Sequence, residues 1–384
     1  MKRFLAYVLI IGASIVSLAI VTGHSYLFDG IRQSYFRGWR NANIDDFQFK
    51  VDSRRVGADS PKPWPLSKGF GSRSLSESAL ERMSEDLTAS FLVIHRDSLF
   101  FEKYWRGHDR GTISNSFSIA KSIVAIAVGL AVDDSLIDIE APVSRYLPRF
   151  KDGLGSELTV EHLLQMRSNI PFGENYKNPF GFQARAYYGP NILSLLNPYR
   201  PDSTPGTFWH YQGGNTMLLA EIISKVQDLP LATLIGSRVW TPMGAVKDAR
   251  WGLDGIDGTE RCFAQFYATS RDFARFGKLL LDSGKYDGNR IISSEYIAKM
   301  LAPVSSTTSL DDINHYGYQI WLGTTDSGYK FSILEGLRGQ CVISIPSLDL
   351  IIVRTGYANS REKKRNIPAD VYIYIKSALD IVGL

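Results

Sequence analysis

"SFSIAKSIVAIAVGLAV", residues 116–132, decides how the rest of the chain is read. From Ser118 to Val132 its one ionisable side chain is Lys121. A run that is apolar on every face marks a buried helix, because a surface helix keeps one face polar. Lysine is almost never fully buried without a partner. Lys121 also falls in the first turn of the expected helix, where the macrodipole disfavours positive charge. Two local rules are broken at one position, and function is sought first at such positions. Ser118 and Lys121 are three apart and share a helix face. A serine hydroxyl is a weak nucleophile that needs a neighbouring base. A lysine amine can be that base where burial and a helix N-terminus disfavour its charged form. The same helix start offers the Ser118 backbone N–H to a developing oxyanion.

Ser-x-x-Lys is weak evidence by itself. It occurs at Ser118/Lys121, Ser327/Lys330 and Ser360/Lys363. The second sits in a Gly-containing turn and the third in the charged stretch "NSREKKRN"; only the first opens an apolar run. The bland alternative at Ser118 is a helix-start serine beside a lysine that snorkels to solvent.

Upstream, "MKRFLAYVLIIGASIVSLAIVTG" has two basic residues, then an uncharged run from Phe4 to Gly23. That is about the length needed to cross a bilayer and longer than a usual signal-peptide core. Residues 1–23 are expected to be an uncleaved anchor, with cleavage after Val21-Thr22-Gly23 as the alternative. Lys2 and Arg3 favour an N-terminus inside, Arg32, Arg37 and Arg40 oppose it, and an exported catalytic domain at the periplasm or cell surface is expected. Residues 24–73 are polar, with the Pro/Gly/Ser stretch "DSPKPWPLSKGFGSRS", and read as a spacer.

"SLSESALERMSEDL" reads as a helix capped at Ser74 with Glu77 in capping-box register. "FLVIHRDSLFFEKYW" reads as a hairpin around Arg96-Asp97-Ser98. From about 140 to 310 the patterns are helical ("TVEHLLQM", "TMLLAEIISKV", "SRDFARFGKLLLDSG", "SSEYIAKMLA") with long loops. β signals return in "YGYQIWLG", "YKFSIL", "CVISIP" and "LDLIIVRTG", before a last helix, "PADVYIYIKSALDIV". The expectation is an α/β (α+β) domain over 74–384. Its antiparallel sheet is built from both ends of the chain (74–112 and 311–384), with flanking helices and an inserted helical lobe (113–310). The site should lie in the crevice between lobes.

The chain has 384 residues, 44% hydrophobic and 21% charged, with a net charge of +4 and no basic stripe interleaved with aromatics. Nucleic acid is therefore not an expected partner. With two cysteines and six histidines, no metal-ligand spacing occurs. Cys262 and Cys341 read as buried thiols, with a bridge as the alternative.

Beyond the helix, the segment "SFSIAKSIVAIAVGLAVDDSLIDIEAPVSRYLP" resembles the nucleophile region of the serine β-lactamase-related hydrolases. The similarity is greatest to the branch of class C β-lactamases, esterases and 6-aminohexanoate-dimer hydrolases. It continues through "LTVEHLLQMRSNIPFGENY", "PGTFWHYQGGNTMLLAEIISKV", "ATSRDFARFGKLLLDSG" and "EGLRGQCVISIPSLDLIIVRTG", over roughly residues 85–380 in order. The resemblance implies a β-lactamase/transpeptidase-like fold and a Ser118 acyl-enzyme that acts on small esters or amides without metal or cofactor. It implies Tyr211, in "YQGGNT", as the proton-transfer partner of Lys121, the two titrating as a unit. Gly213 takes the place of the motif's asparagine, which removes one polar substrate contact. Leu334-Glu335-Gly336 takes the place of Lys-Thr-Gly. Gly336 is then expected to leave room for substrate, and the Leu337 N–H to be the second oxyanion donor. Glu335 faces a neutral or cationic substrate, or solvent. Tyr176 is implied in the substrate pocket. Trp209, His210 and His162 are expected to pack rather than react. The rivals are a β-lactamase or D-Ala-type peptidase, disfavoured by Leu334 and Gly213, and a membrane-tethered binding or sensor module that does not turn over.

Overall fold

The computed structural model describes the whole chain except residues 40, 50 and 305–314. Arg40 and the lobe boundary expected at residue 311 lie outside the described residues.

Among the described residues the strands, in chain order, are β1 (Ser53–Val56), β2 (Thr88–His95), β3 (Ser98–Tyr104), β4 (Ile113–Asn115), β5 (Ala249–Gly252), β6 (Phe266–Thr269), β7 (Lys285–Tyr286), β8 (Asn289–Arg290), β9 (Trp321–Thr324), β10 (Lys330–Gly336), β11 (Gln340–Ile345), β12 (Leu350–Gly356), β13 (Lys363–Lys364) and β14 (Ile367–Pro368). The main sheet runs β3-β2-β12-β11-β10-β9 and is antiparallel at every pairing. It is assembled from both ends of the chain, as expected. β2 and β3 are joined by Arg96-Asp97, with φ of +48° and +59°. Two positive φ angles match the twist of a tight hairpin, and Ser98 belongs to β3.

Strand residues alternate between two cores. Phe331, Ile333, Ile343 and Ile352 pack with Met83 of the Glu77–Glu85 helix and Tyr374 of the Ala369–Val382 helix. Leu334, Val342, Ile351 and Val353 point the other way, into the larger core. There lie the Ile119–Asp133 helix, buried at every position from Ile119 to Ala131, and the Ser270–Leu281 helix.

Four expectations are corrected. The cap of the first domain helix is Ser76, whose hydroxyl accepts from the Ala79 N–H at 3.2 Å, rather than Ser74. Residues 140–310, read as mainly helical with long loops, also hold strands: β5 and β6 join β1 and β4 in a second antiparallel sheet, ordered β1-β5-β6-β4. These strands are only three or four residues long, too short for an alternating pattern to stand out. The lobes also do not divide at residue 113, since the Ser270–Leu281 helix packs on β11 and β12. Lastly, residues 24–73 are not a free spacer. β1 supplies a strand, Tyr26, Ile44 and Trp64 are buried, and the Tyr26 hydroxyl donates to the Pro179 carbonyl at 3.0 Å. A polar sequence without periodicity signalled irregular backbone, which need not be free of the domain.

The Lys2–Val21 helix buries none of its residues and spans about 30 Å at 1.5 Å per residue. It has the length and composition of a membrane span, a test that signal sequences also pass.

Candidate active site

The turn that leads into Ser118 is built by the second sheet. β4 ends at Asn115, and the Ser116 N–H donates to the Phe266 carbonyl at 2.8 Å. The chain then turns through Phe117 at φ +46°, a left-handed conformation rare for a bulky residue, and enters the helix with Ser118 at its cap. The turn leaves the Ser118 side chain partly exposed at the helix mouth while Lys121 is only 1% exposed.

Lys121 Nζ donates to Ser118 Oγ at 2.8 Å and to the Phe263 carbonyl at 3.2 Å. It lies 4.8 Å from the centre of the Tyr211 ring. Burial pushes the amine from 10.5 down to about 8, with the Glu174 carboxylate opposing the fall. It does not snorkel. An amine so placed can take the proton of the hydroxyl it touches.

Tyr211 is hydrogen-bonded to Ser118. Burial drives its phenol well above the usual range; the Ser118 bond opposes this, and Glu174 and Glu335 add to it. The phenol is therefore protonated at neutral pH. Tyr211 is held in an aromatic cluster with Tyr316, Trp321 and Trp209, so Trp209 packs as expected. His162 is also structural, since its Nδ1 and N–H both bond Thr159 in a capping box.

Ser118, Lys121, Tyr176 and Leu337 line one cleft of about 90 Å³, together with Phe117, Tyr187, Tyr188 and Phe263. The Leu337 turn follows β10. Its carbonyl accepts from Gln340 Nε2 at 3.0 Å, and the buried Arg354 guanidinium ties the carbonyls of Arg338 and Gly339 at 2.8 and 3.1 Å.

The remaining expected residues stand elsewhere. A Cβ on Gly336 would lie 2.1 Å from the Ser116 carbonyl oxygen, so this glycine admits the turn before Ser118 rather than substrate. Leu334, in place of the family's lysine, is fully buried core. Glu335 sits opposite Cys341 on the face shared with Ile333, away from the cleft lining. Burial, aided by Asp370 and opposed by Lys363, raises its carboxyl to about 7. Gly213 is buried at the start of the Gly213–Gln227 helix. Cys262 and Cys341 are buried and unbridged.

Sequence reasoning missed Glu174. Its Oε2 accepts from the Gly213 N–H at 2.9 Å, and its carboxylate also bonds the Tyr176 hydroxyl and Gln183 Nε2. It thereby ties the Tyr176 loop to the helix that begins two residues after Tyr211. A single acid in a polar loop carries no periodic signal, and its partners lie up to 39 positions away.

The family model described as Beta-lactamase matches residues 78–370. The chain is 25% identical over 327 residues to 6-aminohexanoate-dimer hydrolase of Paenarthrobacter ureafaciens, covering 79% of this chain and 81% of that one. A proposed 6-aminohexanoate-dimer hydrolase of Bacillus anthracis shares the fold with a TM-score of 0.73 at 21% identity, over 89% of this chain and 94% of that one. A family VIII carboxylesterase does so with a TM-score of 0.62 at 18% identity, over 83% and 98%. With the family model matching most of the chain, this protein belongs to the Beta-lactamase family, the serine β-lactamase-related hydrolases.

Proposed function

We propose that the protein is a serine hydrolase that cleaves an ester or amide bond of a small substrate through a Ser118 acyl-enzyme. The observation that carries this reading is the buried Lys121 amine, 2.8 Å from Ser118 Oγ and lowered to about 8. In its free-base form Lys121 accepts the Ser118 proton as Oγ attacks the carbonyl carbon. The developing oxyanion sits against the N–H groups of Ser118 and Leu337, where losing one donor is worth about 3 kcal/mol. Tyr211, protonated and touching Ser118, passes a proton to the leaving alkoxide or amine and recovers one from Lys121. Deacylation reverses these roles on water, and the pair shares the proton throughout.

An ester or small-amide substrate is favoured over a β-lactam. Leu334 is buried and apolar where a cation would attract the β-lactam carboxylate. The exposed apolar Lys2–Val21 helix supports a chain tethered to a membrane with its catalytic domain on the exported side. A binding module without turnover is disfavoured, because it has no physical use for a buried lysine on a serine.

Intact-mass measurement with a fluorophosphonate is the test. One adduct is expected on the wild type and none on Ser118→Ala; undiminished labelling of that variant refutes the assignment. A parallel screen of p-nitrophenyl esters, nitrocefin and short amide oligomers is expected to show turnover of esters or amides ahead of nitrocefin.

A further inference from the structure

The strained turn before Ser118 is held by a segment that precedes the family match. The Phe117 N–H donates to Asn115 Oδ1 at 2.9 Å. The other end of that amide decides which way it points. Asn115 Nδ2 donates to the Tyr187 hydroxyl oxygen at 2.8 Å and reaches Asp46 Oδ2 at 3.5 Å. The Tyr187 hydroxyl donates to Asp46 Oδ2 at 2.7 Å, and Asp46 Oδ1 accepts from the Asn43 N–H at 3.0 Å. Asp46 and Asn115 are 1% and 0% exposed. Burial raises the Asp46 carboxyl to about 6, with the bonds from Asn43, Tyr187 and Asn115 and the Arg338 charge opposing, so it is ionised at neutral pH.

A carboxylate only accepts hydrogen bonds, and this fixes the polarity of the whole chain of contacts. Asp46 takes the Tyr187 proton. The phenolic oxygen is then free to accept from Asn115 Nδ2, which turns Asn115 Oδ1 toward Phe117. The segment is also anchored through its backbone: the Asn115 N–H donates to the Ile44 carbonyl at 2.8 Å, and Ala42 and Ile44 pack with Phe117.

We propose that Asp46 is a positioning residue for the nucleophile: through Tyr187 and Asn115 it sets the Phe117 turn that aims Ser118. Residues 42–46 are thereby a working part of the hydrolase although the family match begins at residue 78. The inference rests on Ser118 being the nucleophile.

Fluorophosphonate labelling rate and ester kinetics on the full chain test it. Asp46→Asn keeps the shape but offers a donor where Tyr187 needs an acceptor. kcat and the labelling rate are expected to fall about 10–100-fold, the scale of a small misplacement of reacting groups, with KM little changed. Combining Asp46→Asn with Asn115→Asp exchanges the two ends. The side chain at 46 then donates to Tyr187, Tyr187 donates to the new carboxylate, and that carboxylate accepts from Phe117, so much of the lost rate should return. A purely structural role predicts no such rescue. Wild-type labelling of Asp46→Asn, or a double variant slower than the single one, overturns the proposal. If Asp46→Asn fails to fold, Tyr187→Phe removes only the relaying oxygen, and an unchanged kcat there overturns it equally. Absence of labelling in the wild type would overturn the nucleophile reading itself, and this proposal with it.

Discussion

Lys121→Met separates a catalytic lysine from a structural one. The fall of the amine from 10.5 to about 8 on folding corresponds to about 3 kcal/mol at ~1.4 kcal/mol per pH unit. The sign follows from proton uptake. Below pH 8 lysine is charged in both states and the folded state bears the whole penalty. Between 8 and 10.5 the unfolded chain binds more protons, so the penalty fades as pH rises. Methionine keeps the apolar stem and carries no such penalty. It forfeits the bonds to Ser118 and the Phe263 carbonyl, worth about 1 kcal/mol each. At pH 7 the variant should match or slightly exceed the wild type in stability, by about 1 kcal/mol. By pH 10 the difference should have moved toward the wild type by most of the ~3 kcal/mol penalty. Ester kcat/KM should drop by about 10²–10⁴-fold or more, as for loss of a positioned base. Denaturant melts at pH 7 and 10, with kinetics on the same preparations, are the assay. A folded Lys121→Met protein that keeps most of its esterase activity refutes the mechanism. A pH-independent stability difference refutes the burial argument.

The remaining predictions concern the surroundings of that amine. Wild-type kcat/KM on a neutral ester should rise with pH and level off above about 8, where Lys121 loses its proton; a flat profile from pH 6 to 9 contradicts this. Glu174→Gln removes a charge that holds the lysine pKa up, so the same limb should move to lower pH, and an upward move counts against the arrangement. Gly336→Ala places a Cβ against the Ser116 carbonyl; overpacking of about 1–3 kcal/mol and a displaced Ser118 should reduce kcat steeply, and wild-type kinetics would show that the turn tolerates the methyl. Deleting residues 1–23 should leave a folded chain with unchanged kcat/KM on a water-soluble ester, because the Lys2–Val21 helix buries nothing; loss of folding would make that helix part of the domain.

The Ser118–Lys121 pair and the main sheet were legible in the sequence because their physics is local or periodic. Three residues of helix bring the hydroxyl and amine together, and an uninterrupted apolar run announces burial before any partner is known. The long strands at both ends of the chain are β-rich, mostly apolar runs of six to eight residues, long enough to read. Tyr211 and Leu337 came from resemblance to a family, since nothing in "YQGGNT" or "EGLRG" alone marks them. The fold decided everything that depends on two distant segments meeting. Gly336 admits the Ser116 carbonyl, Glu174 caps a helix 39 positions away, and Asp46 reaches Tyr187 across 141. Those contacts leave no periodic trace, because a single buried polar group is paired by geometry rather than by spacing along the chain. For the same reason residues 24–73, which read as a spacer, supplied a strand of the second sheet and part of the wall behind Ser118.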